Sequence, residues 1–233
     1  MQAVILAAGR GTRMKELTAD CPKPMLRILG KPLLEWKLEL LPDAIDEVIF
    51  VVGYLGNCIK EHFGYEWKGR RIRYVEQTEL NGTGGAVHLV KDVVRDHFLV
   101  MMGDDLYHSS DLGDLMREET AVLGFEVAKP FDVGLVEVDD QGNLSSVVEH
   151  VTRETPGLVN TGAYLLNQRF FHCALVPISE KEFGLPQTLA RMSKEVPVKV
   201  LKARAWQPIG HPEDIEKGKQ FLQALGLPGS QIQ

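Results

Sequence analysis

Short β-branched runs alternate with segments of helical period through the first half of the chain, and no other feature constrains its fold as strongly. Residues 4–6, 48–52 and 72–75 have the character of strands, and residues 33–41 and 57–63 between them that of helices. Strand, crossover helix and strand in that order make a βαβ unit. Repeated units predict an α/β fold, a Rossmann-like three-layer α/β/α arrangement around a mostly parallel mixed sheet. In the first helix Leu34, Leu38 and Leu41 recur at i, i+4 and i+7, which lays one apolar stripe against the sheet. A helix over 84–93 and a strand over 98–102 continue the pattern, and the strand stops at Gly103-Asp104-Asp105. Ligands of open α/β sheets collect beyond the carboxyl ends of the strands, which puts residues 7–9, Gln77 and Asp104 on one rim.

After residue 120 strands and turns dominate. Residues 121–127, 134–138 and 144–150 have strand character, and the turn Asp139-Asp140-Gln141-Gly142 predicts an antiparallel hairpin between the last two. Strands over 162–166 and 198–201 flank a helix over 186–194. A last helix runs over 212–225, with Glu213 and Asp214 in its first turn and Gly226 behind it. The expected organisation is one domain over 1–233, in two halves, 1–120 and 121–226, with a short polar tail over 227–233.

The 233 residues carry 26 Lys+Arg against 32 Asp+Glu, a net charge of -6. That acidic balance argues against a general nucleic-acid binder, so any phosphate should be held locally. Cys21, Cys58 and Cys173 are odd in number and widely spaced, which builds neither a disulfide framework nor a zinc site and fits a reducing compartment. The apolar start over 3–8 is short for a signal-peptide core and has no basic flank, and no run approaches the ~18 apolar residues of a membrane span. The expectation is a cytoplasmic protein with no nucleic-acid and no membrane partner.

One stretch carries chemistry by composition alone. Leu6-Ala7-Ala8-Gly9-Arg10-Gly11-Thr12-Arg13-Met14 runs from a small-residue strand end into a glycine loop, and Thr18 and Pro22-Lys23-Pro24-Met25 follow. Glycine backbone lets N–H groups approach a phosphate chain, while Arg13 and Lys23 add fixed positive charge. It is not a Walker A loop, since no Gly-Lys-Ser/Thr follows, nor a dinucleotide fingerprint, since Met14 stands at the third glycine position.

The pattern L-A-A-G-R-G-T-R-M-x3-T-x3-P-K-P-M over 6–25 closely resembles the signature of the sugar-1-phosphate nucleotidylyltransferases. Gln77 with Gly82-Thr83-Gly84-Gly85-Ala86, then Gly103-Asp104, Gly134, Glu149, Asn160-Thr161-Gly162 and Trp206-x3-Gly210-x-Pro212 follow in the family's order. The resemblance implies an enzyme of the short form, a catalytic domain whose first half binds nucleotide and whose second half binds sugar. A second activity is not expected of it.

Its partners would be a nucleoside triphosphate and a sugar 1-phosphate, with Mg²⁺ as cofactor and a homo-oligomer left open. By the same resemblance Arg13 holds the departing pyrophosphate, Lys23 the α-phosphate, and Asp104 the Mg²⁺. Leu6, Ala7, Ala8, Gly9, Gly11 and Thr12, together with Arg13, Gln77, Gly82 and Thr83, bind the nucleotide. Gly134, Glu149, His150 and Asn160 bind the sugar phosphate. A glutamine amide can both donate to and accept from the imide edge of uracil or thymine, so Gln77 favours UTP or dTTP.

Two positions depart from the family. His150 stands where a lysine grips the sugar phosphate, and imidazole replaces that charge only when protonated. Pro208 stands where many members place a second metal carboxylate, which leaves Gln207 or a water to substitute; Asp105 is an alternative to Asp104. These departures keep open a catalytically impaired nucleotide-sugar-binding regulatory subunit, and the fold alone a cytidylyltransferase for a non-sugar phosphate.

Overall fold

In the computed structural model, which describes residues 1–227, the expected βαβ units build a ten-stranded mixed sheet. Its strands are β1 (Gln2–Ala7), β2 (Glu47–Val52), β3 (Glu66–Trp67), β4 (Arg70–Glu76), β5 (His97–Met102), β6 (Ala121–Val127), β7 (Val133–Val138), β8 (Leu144–Val151), β9 (Gly157–Asn167) and β10 (Lys199–Lys202). They lie in the order β8-β7-β9-β5-β1-β2-β4-β3, with β6 paired to both β9 and β10. The centre is parallel, β1 pairing with β2 and β5, and β2 with β4.

Antiparallel pairing reaches further inward than the hairpin signal suggested. Strand β9 runs antiparallel to both β5 and β6, so one sheet passes through both halves of the chain. The hairpin itself forms as expected, β7 against β8, with Asp139 Oδ1 accepting from the N–H groups of Gln141 and Asn143. Aspartate in that role mimics a backbone turn.

Helices cover both faces. On one, α1 (Leu33–Leu40), α2 (Gly56–Phe63) and α4 (Ser109–Leu115) pack Leu34, Leu38, Ile59 and Leu112 against Ile5, Phe50 and Met101. On the other, α3 (Gly82–His88) and α5 (Leu185–Met192) pack Val87, Leu185 and Leu189 against Val4, Val51 and Val100. A strand buried on both sides needs apolar residues at every position, which is why these runs do not alternate. Each such side chain contributes about 1.5–3 kcal/mol on leaving water. The last helix, α6 (Asp214–Ala224), closes a third cluster of Met14, Ile28, Trp36, Leu106 and Ile209.

Several bounds moved. Helix α3 ends at His88 rather than near 93, because Val90, Lys91 and Val93 bond three residues back in tight turns. Helix α4 was not foreseen: its seven residues are too short for a period to stand out. The predicted strand over 162–166 is the second half of an eleven-residue strand, broken by an irregularity between Asn160 and Tyr164 where its partners change. Across that break Thr161 is buried, its Oγ1 donating to the Leu123 carbonyl at 2.7 Å. The predicted tail lies, from residue 228 on, outside the described residues. None of the described helices is long and apolar enough to cross a membrane, and all three cysteines are free thiols.

Candidate active site

A cavity of about 380 Å³ opens at the carboxyl ends of β1 and β5. Leu6, Ala7, Ala8, Gly9, Gly11, Thr12, Arg13, Gln77, Gly82 and Thr83 all line it, and so do Lys23 and Asp104. Every residue expected to hold nucleotide therefore lines one cavity, together with Lys23 and Asp104.

The glycine loop is shaped by close approach. Gly11 has φ +62°, and a Cβ there would stand 2.8 Å from Lys23 Cβ. Only glycine takes that backbone conformation without steric cost while leaving Lys23 its place. Thr18 Oγ1 donates to the Gly11 carbonyl at 3.1 Å and ties the loop to the turns that follow. Lys23, on the short turn Lys23–Met25, is 7% exposed at its side chain, and its Nζ lies 2.6 Å from Asp104 Oδ2.

Asp104 follows β5 after Gly103, in a turn held from both sides: Gly103 N–H donates to Leu6 O at 2.9 Å, and Ile209 N–H donates to Asp104 O at 3.1 Å. Its carboxylate, one third exposed, faces the cavity. Asp105 does not. It is buried, and burial together with the adjoining Asp104 pushes its carboxyl above the usual carboxylate range, opposed by the Lys37 ammonium. Lys37, fully enclosed in α1, donates to the Asp105 carbonyl and sits 4.5 Å from the centre of the Tyr107 ring. Burial pulls its pKa down, while Asp105 and Asp104 oppose that shift.

The strand Trp206–Pro208 pairs with Asp105–Tyr107, Pro208 opposite Asp105, and so braces the Asp104 turn from outside the cavity. Gln207 Nε2 donates to the Pro208 carbonyl at 2.7 Å, and Gln207 does not line the cavity. Among the described residues no three His, Cys, Asp or Glu side chains cluster as metal ligands. What remains beside the Lys23 ammonium is the partly exposed Asp104 carboxylate, with Glu182 the other carboxylate lining the cavity. That donor set suits Mg²⁺, which binds through one or two carboxylates and takes its other ligands from substrate phosphates and water. Asp104 would hold it.

Gln77 is held in one orientation. Its Nε2 donates to Asn81 Oδ1 at 3.0 Å and to the Gly82 carbonyl at 3.3 Å. A carbonyl can only accept, so the amide nitrogen is pinned there, both of its N–H groups are occupied, and Oε1 is the group left to pair. Sequence could not supply this, and it removes the donor half of the expected imide pairing.

The sugar-side residues form a separate group. Glu149 Oε1 accepts from Gln187 Nε2 at 2.7 Å, and a Cβ on Gly134 would come 2.7 Å from Glu149 Oε2. Asn160 Nδ2 donates to the Tyr164 hydroxyl at 2.8 Å, and its Oδ1 accepts from Gly162 N–H. His150 stands apart from Lys23 and Asp104: its ring is 86% exposed on the outer strand β8, with Nδ1 2.8 Å from Asp132 Oδ1. That carboxylate holds its pKa above the ordinary histidine value.

Pro24, Leu80, Ala86, Met102 and Glu182 also line the cavity. Pro24, Ala86 and Met102 lie inside or beside the motifs. Glu182 has no local signal, because it arrives on a hairpin from the second half: Phe183 N–H donates to Asn81 O at 2.9 Å, and Leu185 N–H to Thr83 Oγ1 at 3.0 Å.

The family model for nucleotidyl transferases matches residues 2–224. The bifunctional protein GlmU of Methanocaldococcus jannaschii is 35% identical over 225 residues, 95% of this chain and 54% of its own. The chain thus spans about half the length of that relative. The UTP–glucose-1-phosphate uridylyltransferase AglF of Haloferax volcanii is 33% identical, covering 96% of this chain and 97% of its own. The D-glycero-alpha-D-manno-heptose 1-phosphate guanylyltransferase of Campylobacter jejuni is 37% identical, covering 92% and 96%. Among solved structures, HddC from Yersinia pseudotuberculosis complexed with GMP-PN superposes with a TM-score of 0.73 at 25% identity, over 95% of this chain and 99% of that one.

Proposed function

The chain belongs to the nucleotidyl transferase family, and on that premise we propose that it joins a sugar 1-phosphate to a nucleoside triphosphate and releases pyrophosphate. The observation that carries this reading is the Lys23–Asp104 pair in a cavity lined by the glycine loop and, among the described residues, by no histidine, cysteine or serine. Such a site has no activated nucleophile of its own and needs none. A sugar phosphate oxygen is already anionic at neutral pH; it attacks the α-phosphorus, a new P–O bond forms, and the α–β bridging oxygen leaves with its electron pair on pyrophosphate. Catalysis is then alignment and neutralisation of charge.

Within that reaction Arg13 would take the departing pyrophosphate, and Lys23 would move from Asp104 to the α-phosphate, where charge accumulates. When bound, Mg²⁺ would neutralise phosphate charge beside Asp104. The loop from Ala7 to Thr12 would orient the triphosphate through its backbone, while Glu149 and Asn160 would take sugar hydroxyls. The expected choice of UTP or dTTP asks Gln77 both to donate and to accept, and with its N–H groups occupied that choice rests on Oε1 alone.

Pyrophosphate release from a matrix of four nucleoside triphosphates against several sugar 1-phosphates and phosphocholine tests the reaction. Release that requires both substrates and Mg²⁺ is the expected result. None with any combination would favour the regulatory subunit, and release with phosphocholine alone the non-sugar reading.

Because Asp132 holds the His150 ring outside the cavity, the apparent KM for sugar 1-phosphate should show no histidine-like rise between about pH 6 and 8 beyond ionisation of the substrate. The sign is decisive: an imidazolium on the phosphate loses its attraction as pH climbs through its pKa, so a KM that rises there, and is flattened by His150→Lys, would return His150 to the phosphate.

A further inference from the structure

We propose that the base end of this cavity selects guanine, with Gln77 Oε1 and the Glu182 carboxylate as acceptors of its N–H groups and Asn81 as the residue that positions Gln77. The proposal rests on the nucleotidyl-transfer reading for the cavity's occupant and goes beyond it in naming the base.

Three observations lead there. Gln77 is an acceptor only, since Asn81 Oδ1 and the Gly82 carbonyl occupy its amide N–H groups. Glu182 lines the same cavity, and among the described residues its carboxylate has neither an ion pair nor a hydrogen bond. Its backbone is nonetheless fixed: Ile178 N–H donates to Glu182 O at 2.8 Å, and Ser179 Oγ accepts from Glu182 N–H at 3.2 Å. Gly82, at φ +85°, is where this hairpin lies closest to α3, since a Cβ there would stand 2.4 Å from Phe183 O. The absence of a side chain at Gly82 is thus what lets a carboxylate from the second half reach the base end.

Two acceptor side chains call for a base edge with adjacent donors. Guanine presents N1–H beside its exocyclic amino group. Uracil and thymine present one N–H between two carbonyl oxygens, and those oxygens would face oxygen here. Adenine and cytosine set a ring-nitrogen acceptor beside their amino group. At Gln77, which is buried, an oxygen left facing its own kind discriminates far more than a difference in ring size does, and Glu182 adds to this from the solvent-exposed side. Gln77 and Leu80 also line a second cavity of about 540 Å³, with Arg10 and Tyr54.

The test is equilibrium binding by calorimetry, with the whole chain, Mg²⁺ and no sugar phosphate, so that turnover plays no part. GTP, ITP, UTP and dTTP are the probes; ITP keeps N1–H and lacks the amino group. GTP should bind about tenfold more tightly than ITP and more tightly still than UTP or dTTP. Glu182→Gln, an exposed and shape-conserving change, should weaken GTP more than ITP and so close the gap between them. Asn81→Ala should narrow the gap between GTP and UTP, because a freed Gln77 amide can turn an N–H toward a carbonyl.

UTP or dTTP binding as tightly as GTP would overturn the proposal, as would an unchanged GTP-to-ITP ratio in Glu182→Gln. The two readings fail separately: tight, selective GTP binding without pyrophosphate release would sink the transfer reaction alone, and transfer that prefers UTP would sink the guanine selection alone.

Discussion

Asp104→Asn should abolish Mg²⁺-dependent turnover, a fall of at least about three orders of magnitude in kcat, while the protein stays folded. The two halves of that expectation come from different atoms of one residue. The backbone of the Asp104 turn is held by Gly103 N–H on Leu6 and by Ile209 N–H on Asp104, and neither bond involves the carboxylate. Asparagine conserves the shape, so those bonds persist and the melting temperature should stay near that of the parent.

What is lost is the charge. A neutral amide oxygen is a poorer ligand for a hard cation, and it leaves the buried Lys23 ammonium without its 2.6 Å partner. Initial rates of pyrophosphate release, with Mg²⁺ varied over a wide range, measure the effect. Turnover close to the parent's would remove Asp104 from the mechanism and point to Asp105, whose burial argues against it.

The second large effect belongs to Lys23. Lys23→Ala should lower kcat by about two to three orders of magnitude, comparable with losing one preorganised donor at a developing charge. The stem is packed against Gly11, and the side chain is almost entirely enclosed. Alanine therefore removes packing as well as charge, and Lys23→Met, which keeps most of the stem, separates the two. A methionine variant as impaired as the alanine variant assigns the loss to the ammonium. A rise in KM with kcat unchanged would instead make Lys23 a residue that binds the ground state and the transition state alike.

Much of this site can be read in one dimension because its parts are local. The loop from Leu6 to Met14 and the segment Pro22-Lys23-Pro24 lie within one βα connection, so composition and spacing already imply a phosphate cradle. Asp104 follows the same logic, a carboxylate at a strand end on the rim where ligands gather. The apolar, unbroken character of residues 48–52 and 98–102 identifies strands covered on both faces, and the sheet centre follows from it.

His150 shows the limit. Its place in the series of motifs suggests a phosphate partner, but not that its ring pairs with Asp132, eighteen residues earlier and just ahead of β7, a pairing that depends on the register of β7 and β8. Gln77 shows it again: the residue is legible at a strand end, but whether it donates or accepts is not.

The sequence by itself determined the layered α/β architecture, the rim on which ligand collects and the cations and carboxylate that meet there, because periodicity and strand-to-helix turns act over a few neighbouring residues. Tertiary structure alone decided which of Asp104 and Asp105 faces the cavity, which end of the Gln77 amide is free and that Glu182 joins the base end. Each of those depends on contacts between segments far apart in the chain, such as Leu185 on Thr83 across 102 residues. A hydrogen-bonding group takes its direction from the partner that folding brings to it, and that partner is not encoded nearby.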